Sequence, residues 1–184
     1  MLKLNLGSNT QKIKGFTNVD HRQVEGVDIV DNVFTLDKLK NQCADEIIAK
    51  HILEHVPFDI LPQVLKRWFD ILAPNGIINI EVPSIDKVHA MFKDGKNKRI
   101  AGNKVDWLWL NSRLFGNASI LRDMYGNKDY VTDFHKSIFN FEMLEDLLLD
   151  VGFINFKRLK TLPHHGILHA TTIAVSATKP NDGV

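Results

Sequence analysis

The sequence predicts an α/β fold built on a mostly parallel sheet with helices on its faces. Short apolar runs alternate with amphipathic stretches over the first ninety residues. Polar residues gather where the runs end, at Gly7, Asp20, Asp31 and Lys50. The regular pattern breaks near Ser84 and returns near Phe141. Strands that alternate with helices form a parallel sheet with helices packed against it.

Each element follows from local pattern. Residues 2–6 read as a first strand ending at Gly7, and 16–19 as a second ending at Asp20. Residues 27–30 form a third ending at Asp31, and 44–49 a fourth entered through Cys43. Residues 60–72 repeat apolar side chains at helical spacing, through Leu61, Val64, Leu65, Trp68 and Leu72. Pro74, Asn75 and Gly76 stop that helix, and 77–82 follow as a fifth strand closed by Pro83. Residues 84–135 hold two of the three tryptophans and many charges, with weak periodicity. They read as a mobile insertion that caps the strand ends. Residues 141–151 read as a helix ended by Gly152, and 153–159 and 171–177 as a final antiparallel pair. A single domain over 1–178 is expected, with a disordered tail over 179–184.

Composition narrows the function. A chain of 184 residues can bury a sizeable core. Its 44% hydrophobic and 24% charged content is that of a soluble globular protein. Lys plus Arg at 23 against Asp plus Glu at 22 leaves a net charge of +1, which disfavours nucleic acid as the main partner. Cys43, alone of its kind, excludes an intrachain disulfide and a cysteine-rich zinc site, and reads as a small buried residue. No apolar run reaches the roughly 20 residues of a membrane span. A cytoplasmic protein is expected, of open oligomeric state.

In open parallel sheets, ligands bind at the carboxyl ends of the strands. Gly7, Ser8 and Asn9 lie at one such end, Asp20 at the next, then Asp31 with Asn32, and Lys50 with His51. A glycine there lets backbone approach a ligand, an acid after the second strand accepts from ribose hydroxyls, and Asp31 with Asn32 can read a purine amine. Together they describe an adenosine site. A dinucleotide site would need Gly-x-Gly-x-x-Gly and a helix N-terminus for pyrophosphate. Here no second glycine follows Gly7, and Asp20 comes only 13 positions later, against roughly 20 in that fingerprint. The usual first helix must be cut to a turn or loop. No phosphate loop is present either.

The segment Leu4-Asn5-Leu6-Gly7-Ser8-Asn9, followed by Gly15-Phe16-Thr17-Asn18-Val19-Asp20, resembles the short class I methyltransferases of the type 11 kind, which open with Leu-Asn-Leu-Gly-Ser-Gly. His51-Ile52-Leu53-Glu54-His55-Val56 is similar to that group's Ser-His-Val-Leu-Glu-His region, and Leu72-Ala73-Pro74-Asn75-Gly76 to its Leu-Lys-Pro-Gly-Gly. The stretch from Asp133 through Phe153 also fits, so the likeness covers nearly the whole chain. Asn9 and Asn75 stand where the group has glycine; Asn tolerates left-handed backbone better than other side chains. Lys50 replaces a small polar residue. The resemblance implies a Rossmann-like, seven-stranded sheet with an antiparallel last strand, and S-adenosylmethionine as cofactor. It implies Leu6, Gly7, Ser8 and Asn9 against the methionine half and Asp20 on the ribose, with His21 beside it. Asp31 and Asn32 would lie near the adenine, and Lys50 and His51 near the sulfonium. It makes S-adenosylhomocysteine the product. His51, His55 and His135 are the candidates for catalytic base.

A small-molecule or sugar-linked acceptor is expected. The rival readings are a non-catalytic adenosyl-binding protein and a nucleic-acid methyltransferase. The latter lacks the Asn/Asp-Pro-Pro-Tyr/Phe tetrad after the fourth strand. Trp107 and Trp109 read as packing residues more than as a substrate platform, and 93–99 as a solvated charged loop. His51-Ile52-Leu53-Glu54-His55 matches the His-x-x-Glu-His of some zinc peptidases. Pro57 follows closely and disfavours the ligand-bearing helix that motif needs, so no metal is expected from it.

Overall fold

The computed structural model describes residues 1–93, 99–100, 103–104, 112–116, 134–164, 166–167 and 170–181. In chain order its elements are β1 (Lys3–Leu6), β2 (Thr17–Asp20), β3 (Ile29–Val30), β4 (Ala44–Lys50), α1 (Leu61–Ile71), β5 (Leu72–Pro83) and α2 (Ile85–Lys93). Then come β6 (Arg99–Ile100), β7 (Asn103–Lys104), α3 (Phe141–Val151), β8 (Ile154–Arg158), β9 (Thr161–Leu162), β10 (Gly166–Ile167) and β11 (Thr172–Thr178). Seven strands make one sheet in the order β3-β2-β1-β4-β5-β11-β8. The first five are parallel, and β11 runs antiparallel to both β5 and β8. This is the expected mostly parallel sheet. The strand order reverses at β1, between β2 and β4, which opens a crevice there.

Alternation sets the two faces. Leu4, Leu6, Val19, Ile47, Ala49, Ile78 and Ile80 point to one face and meet Leu65 and Trp68 of α1 and Leu144 and Leu148 of α3. The Trp68 indole donates to Val33 O at 2.8 Å, which ties the 31–42 loop to α1. Asn140 caps α3 by accepting from Met143 N, and Gly152 ends it in the left-handed conformation, φ 110°.

The opposite face is polar near β1. Between β1 and β2 the chain forms turns and no helix, as the 13-residue spacing requires. Asparagines do the work of that helix. Asn5 donates from Nδ2 to Asn18 Oδ1 and to Gln11 O, both at 2.9 Å, and Asn18 Nδ2 donates to Asp28 Oδ2 at 3.0 Å. Further along this face Lys3 pairs with Glu46 at 2.9 Å, and Asn79 Nδ2 donates to Glu46 Oε1. Ile13 and Phe16 close over Ile48.

Several boundaries differ from the sequence reading. The third strand shrinks to two residues because Val27 is spent on a turn, donating to Val24 O. β5 begins at Leu72 and carries the Pro74-Asn75-Gly76 segment as an irregularity in its pairing with β4, with Asn75 at φ 63°. Cys43 is only half-buried. The segment after Ser84 opens with α2, a helix the weak periodicity hid. Lys179, assigned to the tail, is 3% exposed. Its ammonium donates to Leu72 O at 2.8 Å and Phe69 O at 3.1 Å, a cation on the C-terminal carbonyls of α1. Residues 182–184 lie outside the described residues.

Asn18→Val is expected to cost about 1–3 kcal/mol, because it strands one N–H of the buried Asn5 amide and removes the side-chain bond to Asp28. Urea denaturation of the two proteins measures this; a loss under about 0.5 kcal/mol would mean that the asparagines do not hold the loop.

Candidate functional site

A cavity of about 550 Å³ opens at the carboxyl ends of β1, β2 and β4. Leu6, Gly7, Ser8, Asn9, Asp20, His21, Asn32, Lys50, His51 and His55 all line it. Of the sequence candidates, Asp31 and His135 do not. Gly7 sits at φ 63°, and a Cβ there would fall 1.8 Å from Ile52 Cδ1. The left-handed turn favours glycine, and the end of the Ile52 side chain fills the space a Cβ would take. Asn9 follows at φ 46°, so the asparagine does keep the turn left-handed.

Asp20 is 2% exposed and holds the turn from below. Its Oδ2 accepts from Asn9 N at 2.8 Å, and its Oδ1 from Arg22 N at 3.0 Å and Arg22 Nε at 3.3 Å. His21 Nδ1 is 3.2 Å from the same Oδ1. Burial opposes the charge, but these backbone donors and the Arg22 cation hold the carboxyl below its ordinary value. Asp31 is a turn residue here. Its two oxygens accept from Asn32 N and Lys38 N, both at 2.8 Å. That leaves Asn32, Val33 and Phe34 to form the wall beyond β3.

At the end of β4 the chain turns sharply. His51 N still donates to Glu81 O at 2.9 Å, and His51 itself adopts φ 55°. The turn places its ring between two buried acids. Nδ1 lies 2.9 Å from Glu54 Oε1 and Nε2 3.4 Å from Glu81 Oε1, and both acids are 1% exposed. Burial alone would favour the neutral ring, yet the contacts with Glu54 and Glu81 raise its pKa to about 9. Both carboxyls stay ionised for the converse reason: burial pushes them up, and the hydrogen bond and charge of His51 bring them below the usual range. His51 is therefore an imidazolium at neutral pH and a poor base.

His135 is brought in from far along the chain. Lys136 N and Ser137 N donate to Glu54 O at 2.7 and 3.1 Å, and Ser137 Oγ to Val56 O at 2.7 Å. The His55 and His135 rings then meet edge to face, 5.1 Å apart. Burial, with Glu54 pulling the other way, holds His135 below its ordinary pKa, so its ring is neutral. Glu54 lies in a 3-10 turn, Leu53–His55, and not on the continuous helix a peptidase motif would need.

Sequence reasoning missed Glu81, Arg113, Lys136 and Ile52. Glu81 carried a signal, an acid inside the apolar run 77–82. Arg113 has no local signal; it reaches Thr171 Oγ1 at 3.0 Å and sits within the field of both acids. Trp107, Trp109 and residues 94–98 lie outside the described residues.

No family model matches the chain, and no curated protein matches its sequence. Solved structures do match. A SAM-dependent methyltransferase from Methanosarcina mazei superposes with a TM-score of 0.60 at 16% identity, over 98% of this chain and 92% of that one. The fold is that of the SAM-dependent methyltransferases. An enzyme of this kind from Archaeoglobus fulgidus gives 0.57 at 16% identity, over 96% and 85% of the two chains. The 1,6-didemethyltoxoflavin-N1-methyltransferase of Burkholderia thailandensis, solved with that compound and S-adenosylhomocysteine, gives 0.56 at 16%, over 98% and 71%. In this methyltransferase fold, the cavity lies at the strand-order reversal.

The clamped histidine gives stability a pH signature. A group whose pKa rises on folding, here from 6.5 to about 9, stabilises fully below the lower value and loses that contribution as pH passes the higher one. Thermal melts should fall between neutrality and mildly alkaline pH, and His51→Asn should flatten that fall. Melting temperatures that track each other across this range in both proteins would place the proton elsewhere.

Proposed function

We propose that the chain is an S-adenosylmethionine-dependent methyltransferase acting on a small-molecule or sugar-linked acceptor. One observation carries the reading. On this fold a single cavity joins the left-handed Gly7 turn, the buried Asp20 carboxylate and the Asn32 wall, without a phosphate-gripping turn.

The residues fit the adenosyl group. Gly7 bares its backbone to the cavity, and Asp20 Oδ2 has lone-pair capacity beyond its bond from Asn9 N. Ribose hydroxyls would meet that oxygen, while the half-exposed His21 and Arg22 give way. Adenine would lie against Asn32, Val33 and Phe34, and the methionine half along 6–9 toward Lys50 and His51. The bound cofactor supplies a methyl group already activated by positive sulfur. The chain's own task is to place the acceptor and exclude water. His51 holds its proton between Glu54 and Glu81, so it orients and does not abstract. His55, on the cavity wall, and His135 behind it serve the acceptor's side. A sugar-linked acceptor is supported by the resemblance of the sequence.

Calorimetry should show S-adenosylmethionine and S-adenosylhomocysteine binding well above NAD and ATP. Equal or tighter NAD or ATP binding would sink the reading. In the same assay Asp20→Ala should weaken S-adenosylhomocysteine about tenfold to a hundredfold, the worth of a charged hydrogen bond. An intact fold with unchanged affinity would move the ribose contact elsewhere.

A further inference from the structure

We infer that Glu54, His55 and His135 form a binding site for a divalent transition-metal cation beside the cavity. One ligand atom from each lies within 4.8 Å of the others. Among the described residues this is the group so arranged, and it is not the pairing that the His-x-x-Glu-His spacing suggested. Both ring nitrogens of His51 are engaged by Glu54 and Glu81, and His135 stands where the motif would put a second histidine.

The hydrogen bonds orient both rings as metal ligands are oriented. His55 Nδ1 donates to Phe134 O at 3.2 Å, and His135 Nδ1 to Leu114 O at 3.2 Å. A carbonyl only accepts, so each ring carries a proton on Nδ1, which leaves Nε2 as the nitrogen that can offer a lone pair to a metal. Backbone partners that fix this tautomer are the usual support of a metal-bound histidine. The third member is a carboxylate. His135 Nε2 lies 4.0 Å from Glu54 Oε1, and Glu54 Oε2 is buried without a hydrogen-bond partner. Two imidazole nitrogens and a buried carboxylate thus converge, one ligand atom from each within 4.8 Å of the others. A cation there would also give Glu54 Oε2 the partner it lacks. Bonds of about 2.0–2.2 Å require ligand atoms roughly 3–3.4 Å apart, so side-chain rotations drawing them in by roughly 1 Å complete the site.

Two imidazoles and one carboxylate suit Fe²⁺, Mn²⁺, Co²⁺ or Zn²⁺ rather than an all-oxygen calcium site. Three protein ligands leave open positions, and His55 faces the cavity. The cation would hold an oxygen of the acceptor, which narrows the acceptor to one with a hydroxyl or carboxylate beside the methylated atom. This role rests on the methyltransferase reading; the cation site itself does not.

The test is a titration of full-length, chelator-stripped protein with Co²⁺, followed by its visible absorption, and with Zn²⁺ and Mn²⁺ by calorimetry. Saturable binding of one cation per chain is expected. His135→Gln and His55→Gln should each weaken it tenfold or more, while Cys43→Ser leaves it unchanged. The histidine variants avoid the fully buried Glu54, and their melting curves report whether they fold. No saturable binding of any of the three ions, or unchanged affinity in both folded histidine variants, overturns the site. S-adenosylhomocysteine binding is measured separately. If it survives where cation binding is absent, only the cation falls. If it is absent where cation binding persists, the site stands and its proposed role in methyl transfer falls.

Discussion

One imidazolium holds two buried carboxylates. Glu54 and Glu81 come from a 3-10 turn and from the middle of the sheet, and each is 1% exposed. Removing an ion from water costs several kcal/mol, and a lone buried charge would neutralise instead. His51 makes the burial tolerable by keeping a proton between the two acids, which fixes its ring and so the turn that follows β4. That turn puts Ile52 against Gly7 and starts the 53–55 helical turn. The left-handed backbone at His51, φ 55°, is the strain this arrangement accepts.

The short link between β1 and β2 imposes a second constraint. A crossover between parallel strands ordinarily runs through a helix that covers the sheet and satisfies its own backbone. Here the connection is too short for one, so its backbone groups need partners from the sheet. Asn5 and Asn18 supply them, reaching Gln11 O and, at 3.4 Å, Ile13 N. Asparagine in the middle of a strand is otherwise a poor choice. The polar ladder also keeps the Gly7 turn short and pulled toward Asp20. The same economy that removes the helix brings Asp20 under the turn.

Much of this was legible in the sequence because it is local. The strand ends at Gly7, Asp20 and Lys50 follow from apolar runs and the residues that close them, and ten of the twelve proposed site residues line one cavity. The shortened crossover was legible from spacing alone. What pattern did not show was tertiary. Asp31 has the right type and place for a ligand contact, but it does not line the cavity, and each of its oxygens accepts from a backbone amide of its own turn. Pattern cannot foresee that competition. Lys179 looked like tail because nothing in the chain announces that carbonyls of α1 lie within its reach. Glu81 hid inside an apolar run because alternation reads an acid there as solvent-facing. In the structure that face is buried, and His51 compensates the charge.

The two sides of the site are built in different ways. The side given to the adenosyl group comes from residues 5–52, one stretch of chain whose strands β1, β2 and β4 lie side by side in the sheet. The other side exists only because residues 134–139 return across the end of β4. That return is pinned by main-chain bonds to Glu54 O and by the Ser137 hydroxyl on Val56 O, and neither depends on what His135 or Lys136 carries as a side chain. The backbone thus fixes where this side of the cavity stands, while the side chains of a few returning positions decide what it can meet. Under the proposed methyltransferase reading, a fold divided this way could take different acceptors by changing the returning segment and leave the cofactor half intact, since function resides in the loops that a rigid sheet positions.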